Sequence, residues 1–136
     1  MSSPTVVIVE DEAIVGEDIK IYLTNQGCSI RGPIASGKRA IKDIPDIHPD
    51  MVLMDIALQD DVSGLDVTIK LKGKIDCPIV FMTAYAQEQT AQKMKRTEAL
   101  GYLKKPVDEM DLDTLVEWVD HDCEGEIEFH QGKSWT

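Results

Sequence analysis

Five side chains that could bind a cation or an anionic group are spread over most of the chain, each within two residues of the end of a short apolar run. They are Glu10, Asp11, Asp55, Thr83 and Lys105. Three of them are carboxylates, which are the ligands that hold hard cations such as Mg²⁺ in proteins. The hydroxyl and the ammonium are hydrogen-bond donors suited to anionic oxygens. A fold that brings these groups together would therefore combine cation ligands with anion donors.

The elements that position these groups are predicted from the hydrophobic pattern. Apolar runs typical of buried strands occupy residues 5–9, 51–54, 78–82 and 100–103, with a weaker run at 28–35. Helical periodicity lies between them, after residue 11 and over about 36–44, 65–72, 87–96 and 108–121, and Pro45 is expected to close the second helix. Because strands that alternate with helices pair in parallel, we expect one α/β domain with a doubly wound five-stranded sheet and five helices.

The five polar side chains are then expected to meet at one edge of the sheet. In open α/β sheets, ligands bind at the carboxyl ends of the strands, and all five residues follow a strand. Simpler interpretations exist for each, since an acidic pair suits the first turn of a helix and a single aspartate is a common turn residue. Likewise, a threonine can cap a helix and a lysine is usually solvated. Their joint occurrence after four strands favours a site.

The composition limits the class of protein. The length of 136 residues suits one domain, and 43% hydrophobic residues are too many for a disordered chain. A formal charge of −11, from 14 basic and 25 acidic residues, argues against direct binding to nucleic acid or to anionic membranes. The three cysteines are widely spaced, which fits reduced thiols, and no apolar run approaches the roughly 20 residues of a membrane span. We therefore expect a cytoplasmic protein.

Four segments carry most of the motif content. They are Val7-Ile-Val-Glu10-Asp11-Glu12, Pro49-Asp-Met-Val-Leu-Met-Asp55-Ile56, Pro78-Ile-Val-Phe-Met-Thr83-Ala84 and Gly101-Tyr-Leu-Lys-Lys105-Pro106. In this order and spacing they resemble the receiver domain of two-component response regulators. The resemblance covers residues 4–121 and implies a flavodoxin-like sheet of strand order 2-1-3-4-5. Residues 122–136 are expected to be a frayed tail, an extra strand around 127–129, or the start of a linker.

The resemblance implies that Asp55 accepts a phosphoryl group from a sensor histidine kinase or a histidine phosphotransfer protein. A carboxylate can form an acyl phosphate, and attack on an anionic phosphoryl group requires charge neutralisation. Mg²⁺ or Mn²⁺ would be held by Asp11, Asp55 and the backbone carbonyl of Ala57, with Glu10 acting through water. Glu12 would point outward. The domain would assist its own phosphorylation and dephosphorylation as a signalling module, not as an enzyme acting on other substrates.

The family's remaining functional positions are also occupied. Lys105 would pair with a phosphoryl oxygen, while the hydroxyl of Thr83 and the amide of Ala84 would donate to the others. Phosphorylation would draw Thr83 toward the phosphoryl group and Tyr102 inward, changing the surface of the last two helices and the fifth strand. An ordinary half-buried role for Tyr102 is the alternative. The peptide bond between Lys105 and Pro106 would be cis.

Two departures from the family pattern concern the loop after the acceptor aspartate. Gln59 replaces a common proline, and the stretch from Asp55 to Gly64 is one residue longer than usual. Ala57 and Tyr85 would flank the path of the attacking water. We hypothesise that these two side chains slow hydrolysis of the acyl phosphate relative to receivers with polar residues there.

Three alternatives stay open from the sequence. A degenerate receiver could act as an interaction module without phosphate, although the full set of polar residues argues against it. A flavodoxin-like or phosphatase-like enzyme would want a phosphate loop after the first strand, where this chain has acidic residues. The chain could also be part of a larger regulator with a fused output domain, or act on a separate effector protein. Neither the cognate kinase nor a phosphorylation-dependent homodimer is decided by the sequence.

Overall fold

Residues 3–84 and 86–136 are described by a computed structural model, in which strands and helices alternate along the chain. Five parallel strands lie in the order 2-1-3-4-5. They are β1 (Thr5–Val9), β2 (Ser29–Ile34), β3 (Met51–Asp55), β4 (Ile79–Thr83) and β5 (Gly101–Lys104). The predicted α/β fold and strand order are therefore confirmed.

Five helices cover the two faces of this sheet. They are α1 (Ala13–Asn25), α2 (Gly37–Ile47), α3 (Gly64–Leu71), α4 (Glu88–Arg96) and α5 (Glu109–Asp120). Along β1, Val6 and Ile8 belong to a core with α1 and α5, whereas Val7 and Val9 belong to a core with α2, α3 and α4. Burial on both faces explains why the strand is an unbroken apolar run. Within the described residues, none of the helices combines the length and apolarity needed to cross a membrane.

The prediction that Pro45 closes the second helix is wrong. Pro45 lies inside α2, which continues to Ile47 and ends at His48 in a left-handed conformation (φ 54°, ψ 57°). Ile44 is fully buried and Ile47 packs against the same core. The gain from burying this last apolar turn outweighs the hydrogen bond that proline cannot make.

A sixth strand, β6 (Gly132–Ser134), extends the sheet and runs antiparallel to β5. The alternative that placed an extra strand around residues 127–129 is wrong about its position. Ile127 is only 4% exposed and Phe129 packs against the same core, so these side chains cover the α5 face instead of pairing at the sheet edge. Gly132 allows the close pairing, because a Cβ there would lie 2.1 Å from the carbonyl oxygen of Tyr102.

Candidate functional site

The carboxyl ends of β1, β3 and β5 bring three carboxylates and one ammonium together. Glu10 and Asp55 are 1% and 3% exposed, and Asp11 is half-buried beside them. One oxygen from each of the three carboxylates lies within 4.8 Å of the others. Nζ of Lys105 lies 2.7 Å from Oε1 of Glu10 and 3.1 Å from Oδ2 of Asp55. The fold therefore assembles four of the five predicted residues into one charged cluster.

The charges in this cluster are not balanced. Burial raises the pKa of Glu10, and the neighbouring Asp55 raises it further, while Lys105 offsets only part of this effect. Burial and the proximity of Glu10 likewise raise the pKa of Asp11. Burial alone would lower the pKa of Lys105, but its contacts with Glu10 and Asp55 outweigh burial and raise that pKa. Three carboxylates facing one ammonium leave a site that favours an additional cation.

The donor atoms present fit Mg²⁺. Apart from the Lys105 ammonium, the fully buried Oε1 of Glu10 has no polar partner among the described residues. All three clustered groups offer oxygen, the donor that Mg²⁺ requires, and two or three carboxylates leave room for water and substrate oxygens. The amide of Ala57 donates to Oδ1 of Asp55 at 3.2 Å. The use of the Ala57 carbonyl as a ligand stays a prediction.

The simpler interpretation of the acidic pair is wrong, because neither Glu10 nor Asp11 is the N-cap of α1 or lies in its first turn. Glu12 is the N-cap of α1, and its amide donates to Oε2 of Glu10 at 3.1 Å. The Glu12 side chain is exposed, as expected, although one oxygen lies 3.9 Å from Nζ of Lys105. Glu10 thus joins the helix start to the charged cluster with its two oxygens.

The remaining predicted residues lie on β4 and β5 or directly after these strands. Thr83 ends β4 with its side chain buried, and its carbonyl accepts a hydrogen bond from the amide of Lys105 at 2.8 Å. Ala84 follows it and is exposed. Tyr102 is half-buried on β5, where its ring centroid lies 5.9 Å from that of Trp135. The peptide bond between Lys105 and Pro106 is cis.

Tyr85, which the sequence pairs with Ala57 in the water-path hypothesis, lies outside the described residues. Ala57 itself is exposed, and its amide donates to the carboxylate of Asp55. The hypothesis of slow hydrolysis therefore stays a prediction.

Asp60 is a residue of the site's framework that sequence reasoning missed. Its carboxylate accepts hydrogen bonds from the hydroxyl of Ser36 at 2.9 Å and from the amides of Gly37 and Lys38 at 3.0 Å each. The Lys38 amide, followed by the others, lowers the pKa of Asp60. These bonds tie the loop after Asp55 to the start of α2. No sequence signal joins Asp60 to residues more than 20 positions earlier, so it reads as a solvated loop acid.

Gly64 fixes the other end of this loop. A Cβ at Gly64 would lie 2.1 Å from the carbonyl oxygen of Asp55, and its amide donates to the carbonyl of Ile56 at 2.9 Å. The loop with Gln59 therefore returns to the backbone of Asp55 and Ile56 despite its extra residue.

Together, the fold and the charged cluster define a class of doubly wound α/β domains with an acidic, lysine-containing pocket at the carboxyl edge of the sheet. Comparison with known families then gives the particular family. Residues 6–117 match the model of the response regulator receiver domain, and the chain belongs to this family. The resemblance read from the four motifs is confirmed. Receiver domains act in signalling with histidine kinases and output effectors as partners.

Three similar proteins illustrate the relationship. The chain is 32% identical over 113 residues to the transcriptional regulatory protein PdtaR of Mycobacterium tuberculosis, with 82% of this chain and 54% of PdtaR covered. It therefore spans about half the length of that relative. The signal receiver domain of a modulated diguanylate cyclase from Desulfovibrio desulfuricans has a TM-score of 0.80 and 33% identity, covering 89% of this chain and 96% of that chain.

A more distant structure shares the fold. The receiver domain of the sensor histidine kinase PA1611 from Pseudomonas aeruginosa has a TM-score of 0.77 and 22% identity, covering 88% of this chain and 99% of that chain. That receiver was crystallised with a magnesium ion coordinated in its active site cleft.

Proposed function

We propose that this receiver accepts a phosphoryl group on Asp55 in a Mg²⁺-dependent reaction and then changes shape to regulate a partner. The observation that carries the proposal is the buried Asp55 carboxylate, 3.1 Å from the Lys105 ammonium and clustered with Glu10 and Asp11. A nucleophilic carboxylate, a cation and a set of cation ligands are what transfer of an anionic phosphoryl group requires.

In the proposed reaction, a carboxylate oxygen of Asp55 attacks the phosphorus of a phosphohistidine on a kinase or phosphotransfer protein. A phosphorus–oxygen bond to Asp55 forms and the phosphorus–nitrogen bond of the donor breaks. The donor imidazole keeps the electron pair and takes up a proton. Bound Mg²⁺ would supply charge neutralisation of the phosphoryl oxygens. Asp11, Asp55 and the Ala57 carbonyl would hold the ion, and Glu10 would reach it through water.

Lys105 has a second role in this proposal. Its ammonium is held between two carboxylates, so it can turn to an incoming phosphoryl oxygen without leaving the cluster. The Thr83 hydroxyl and the Ala84 amide would donate to the remaining oxygens. Movement of Thr83 would let Tyr102 turn inward. This change in packing, caused by the added charge, would alter the surface of α4, β5 and α5.

The output of the domain is also part of the proposal. Because the chain spans about half of PdtaR, the effect of phosphorylation would pass to a fused output domain or to a separate effector protein. A phosphorylation-dependent homodimer through the α4, β5 and α5 surface is a further arrangement that sedimentation with and without phosphodonor would test.

The test is incubation of the protein with Mg²⁺ and a small acyl phosphate, followed by intact mass measurement. We expect a gain of one phosphoryl group that Asp55→Asn abolishes. Asp61→Asn is the matched control, since Asp61 is an exposed acid of the same loop and pairs only with Lys38 among the described residues.

A second variant tests the role of Lys105. We expect Lys105→Met to slow phosphorylation by about 10²-fold, the usual loss when a donor to a developing anion is removed. Lys104→Met is the control, because Lys104 is exposed beside it. A wild-type protein that gains no mass would instead support the degenerate, phosphate-independent interaction module.

A further inference from the structure

Residues 122–136, termed here the strap, wrap around the β5 edge of the sheet. Ile127 packs in the core that contains Leu112 of α5, on one face of the sheet. Trp135 packs on the other face, in the core that contains Met94 of α4, with its ring against Tyr102. The strap therefore connects the two helices that flank β5 and covers the strand between them.

A buried carboxylate holds the middle of the strap. Asp111 in the first turn of α5 is 1% exposed, and its two oxygens accept hydrogen bonds from the backbone amides of His130 and Gln131. Asp108, the N-cap of α5, pairs with the His130 ring at 2.9 Å. Because both carboxylate oxygens of Asp111 bond to the strap, α5 fixes the position of the strap.

The strap is also bonded to the strand that carries the site's ammonium. The amide of Lys104 donates to the carbonyl of Gln131 at 2.7 Å, and the amide of Trp135 donates to the carbonyl of Leu100 at 2.9 Å. The residue after Lys104 is Lys105, whose ammonium contacts Asp55. Lys105 thus directly follows the residue whose backbone amide holds the strap.

We propose that the strap closes the β5 edge while Asp55 is unmodified and is released when Asp55 carries a phosphoryl group, an inference that rests on the proposed function. Two changes favour release. A phosphoryl group turns the Lys105 side chain from Glu10, one residue from the bond between Lys104 and Gln131, and an inward turn of Tyr102 removes the ring against which Trp135 packs. Both act on the contacts that hold the strap, whereas the parallel pairing of β1, β3 and β4 is untouched.

Thermodynamic linkage makes the proposal reciprocal. If modification of Asp55 opens the strap, then a variant whose strap is fully open must bind a phosphoryl mimic at Asp55 more tightly by the same factor. Gly132→Ala is suited to opening it, since the added Cβ would lie 2.1 Å from the Tyr102 carbonyl oxygen. Lys133→Ala is the matched control, because Lys133 is an exposed neighbour in β6. Trp135→Ala is a second opening variant that removes the ring contact and keeps the backbone of β6.

The experiment measures amide hydrogen exchange with Mg²⁺, with and without beryllium fluoride as the phosphoryl mimic. We expect the mimic to speed exchange of the Lys104 and Trp135 amides at least tenfold, while the Val52 amide, bonded to the Pro78 carbonyl, stays protected. Gly132→Ala and Trp135→Ala should exchange fast without the mimic and should bind it more tightly. Lys133→Ala should behave as wild type.

Fluorine resonances of the bound mimic distinguish failure of strap release from failure of the proposed function. Bound mimic with unchanged exchange at Lys104 and Trp135 overturns strap release and leaves the proposed function standing. Absence of bound mimic at Asp55 in the wild type overturns the proposed function and strap release together. Equal mimic affinity in the opening variants and in Lys133→Ala overturns the coupling.

Discussion

At the scale of single residues, Lys105 decides the charge of the pocket. Its ammonium is the only basic group within ion-pair distance of Glu10 and Asp55 among the described residues, and its side chain is 14% exposed. The raised pKa values of Glu10 and Asp11 mean that the folded state holds protons on these groups more tightly than the unfolded chain does. Their ionisation therefore costs stability as the pH rises from their unfolded toward their folded pKa values.

Mg²⁺ should offset this cost. We predict that Mg²⁺ raises the thermal unfolding midpoint at neutral pH, with a stabilisation of about 2.7 kcal/mol at 100 times the dissociation constant. The shift should shrink as the pH falls toward the raised pKa values, because protons then compete with the ion. Calorimetry across a pH series measures both effects.

Asp11→Asn should remove most of the rise in unfolding midpoint caused by Mg²⁺. Asp61→Asn should retain this rise. An equal Mg²⁺ shift in these two proteins would contradict the assignment of Asp11 to the site.

At the scale of elements, the loop after β3 depends on Asp60. We predict that Asp60→Ala lowers the free energy of unfolding, since the bonds to the Gly37 and Lys38 amides resemble those of a helix cap. Phosphorylation of Asp55 should slow as well, because the loop carries Ala57. Urea denaturation and the mass assay check the two effects. The neighbouring Asp61→Ala should change neither, and matching losses in both variants would refute the role of Asp60.

The junction between α5 and the strap should respond to pH. At this junction, the hydrogen bond between His130 and Asp108 raises the pKa of His130. The same bond, followed by the hydrogen bond from the Met110 amide, lowers the pKa of Asp108. Asp111 is the other acid facing this ring, and it also raises the His130 pKa. The stabilisation that His130 contributes to the folded state is present below about pH 6.5 and is lost as the pH rises through the His130 pKa in the folded protein. That contributed by Asp108 is present above about pH 3.9 and is lost as the pH falls through its folded pKa.

This prediction is checked by nuclear magnetic resonance titration of the His130 ring. Asp108→Asn should lower the pKa of His130 toward its ordinary value, whereas Asp113→Asn on the same helix should not, since Asp113 accepts a hydrogen bond from Tyr22 instead. A His130 pKa that is the same in wild type and Asp108→Asn would show that the pair does not form in solution.

The elements that the sequence predicts well are those whose own side chains determine them. Strands such as β1 are buried on both faces, so their composition alone marks them. Pro45 misleads because Ile47, two residues later, has a core to pack against that local propensity does not include. β6 escapes prediction because Gly132–Ser134 has no apolar run, and its pairing depends on backbone approach to β5.

The site shows the same division. Glu10, Asp11, Asp55 and Lys105 are predictable because parallel strands must bring their carboxyl ends to one edge. The roles of Asp60 and Asp111 are not predictable, since both accept hydrogen bonds from backbone amides far along the chain. Almost every residue has a backbone amide, so the sequence does not show which one will be a partner. Asp111 is also not a surface acid, since it is buried on α5 against the strap.

At the scale of the whole molecule, the formal charge of −11 exceeds what the pocket uses. Most of the excess lies on the surface, where like charges repel one another in the folded state. We predict that raising NaCl from about 0.01 M to about 0.15 M increases the unfolding midpoint, because the screening length falls from about 30 Å to about 8 Å. Asp11→Asn should show the same rise, which separates surface screening from ion binding in the pocket. A midpoint that falls with salt would mean that surface ion pairs dominate.

The sixth strand has a consequence for the solubility of the protein. Open sheet edges are templates for strand pairing between molecules, which leads to aggregation. With β6 in place the outer strands are β2 and β6. β6 is three residues long, and β2 carries Pro33, which has no amide hydrogen, and the exposed charge of Arg31. Opening the strap would expose the edge of β5, so we expect this short segment also to limit edge-to-edge association of the concentrated protein.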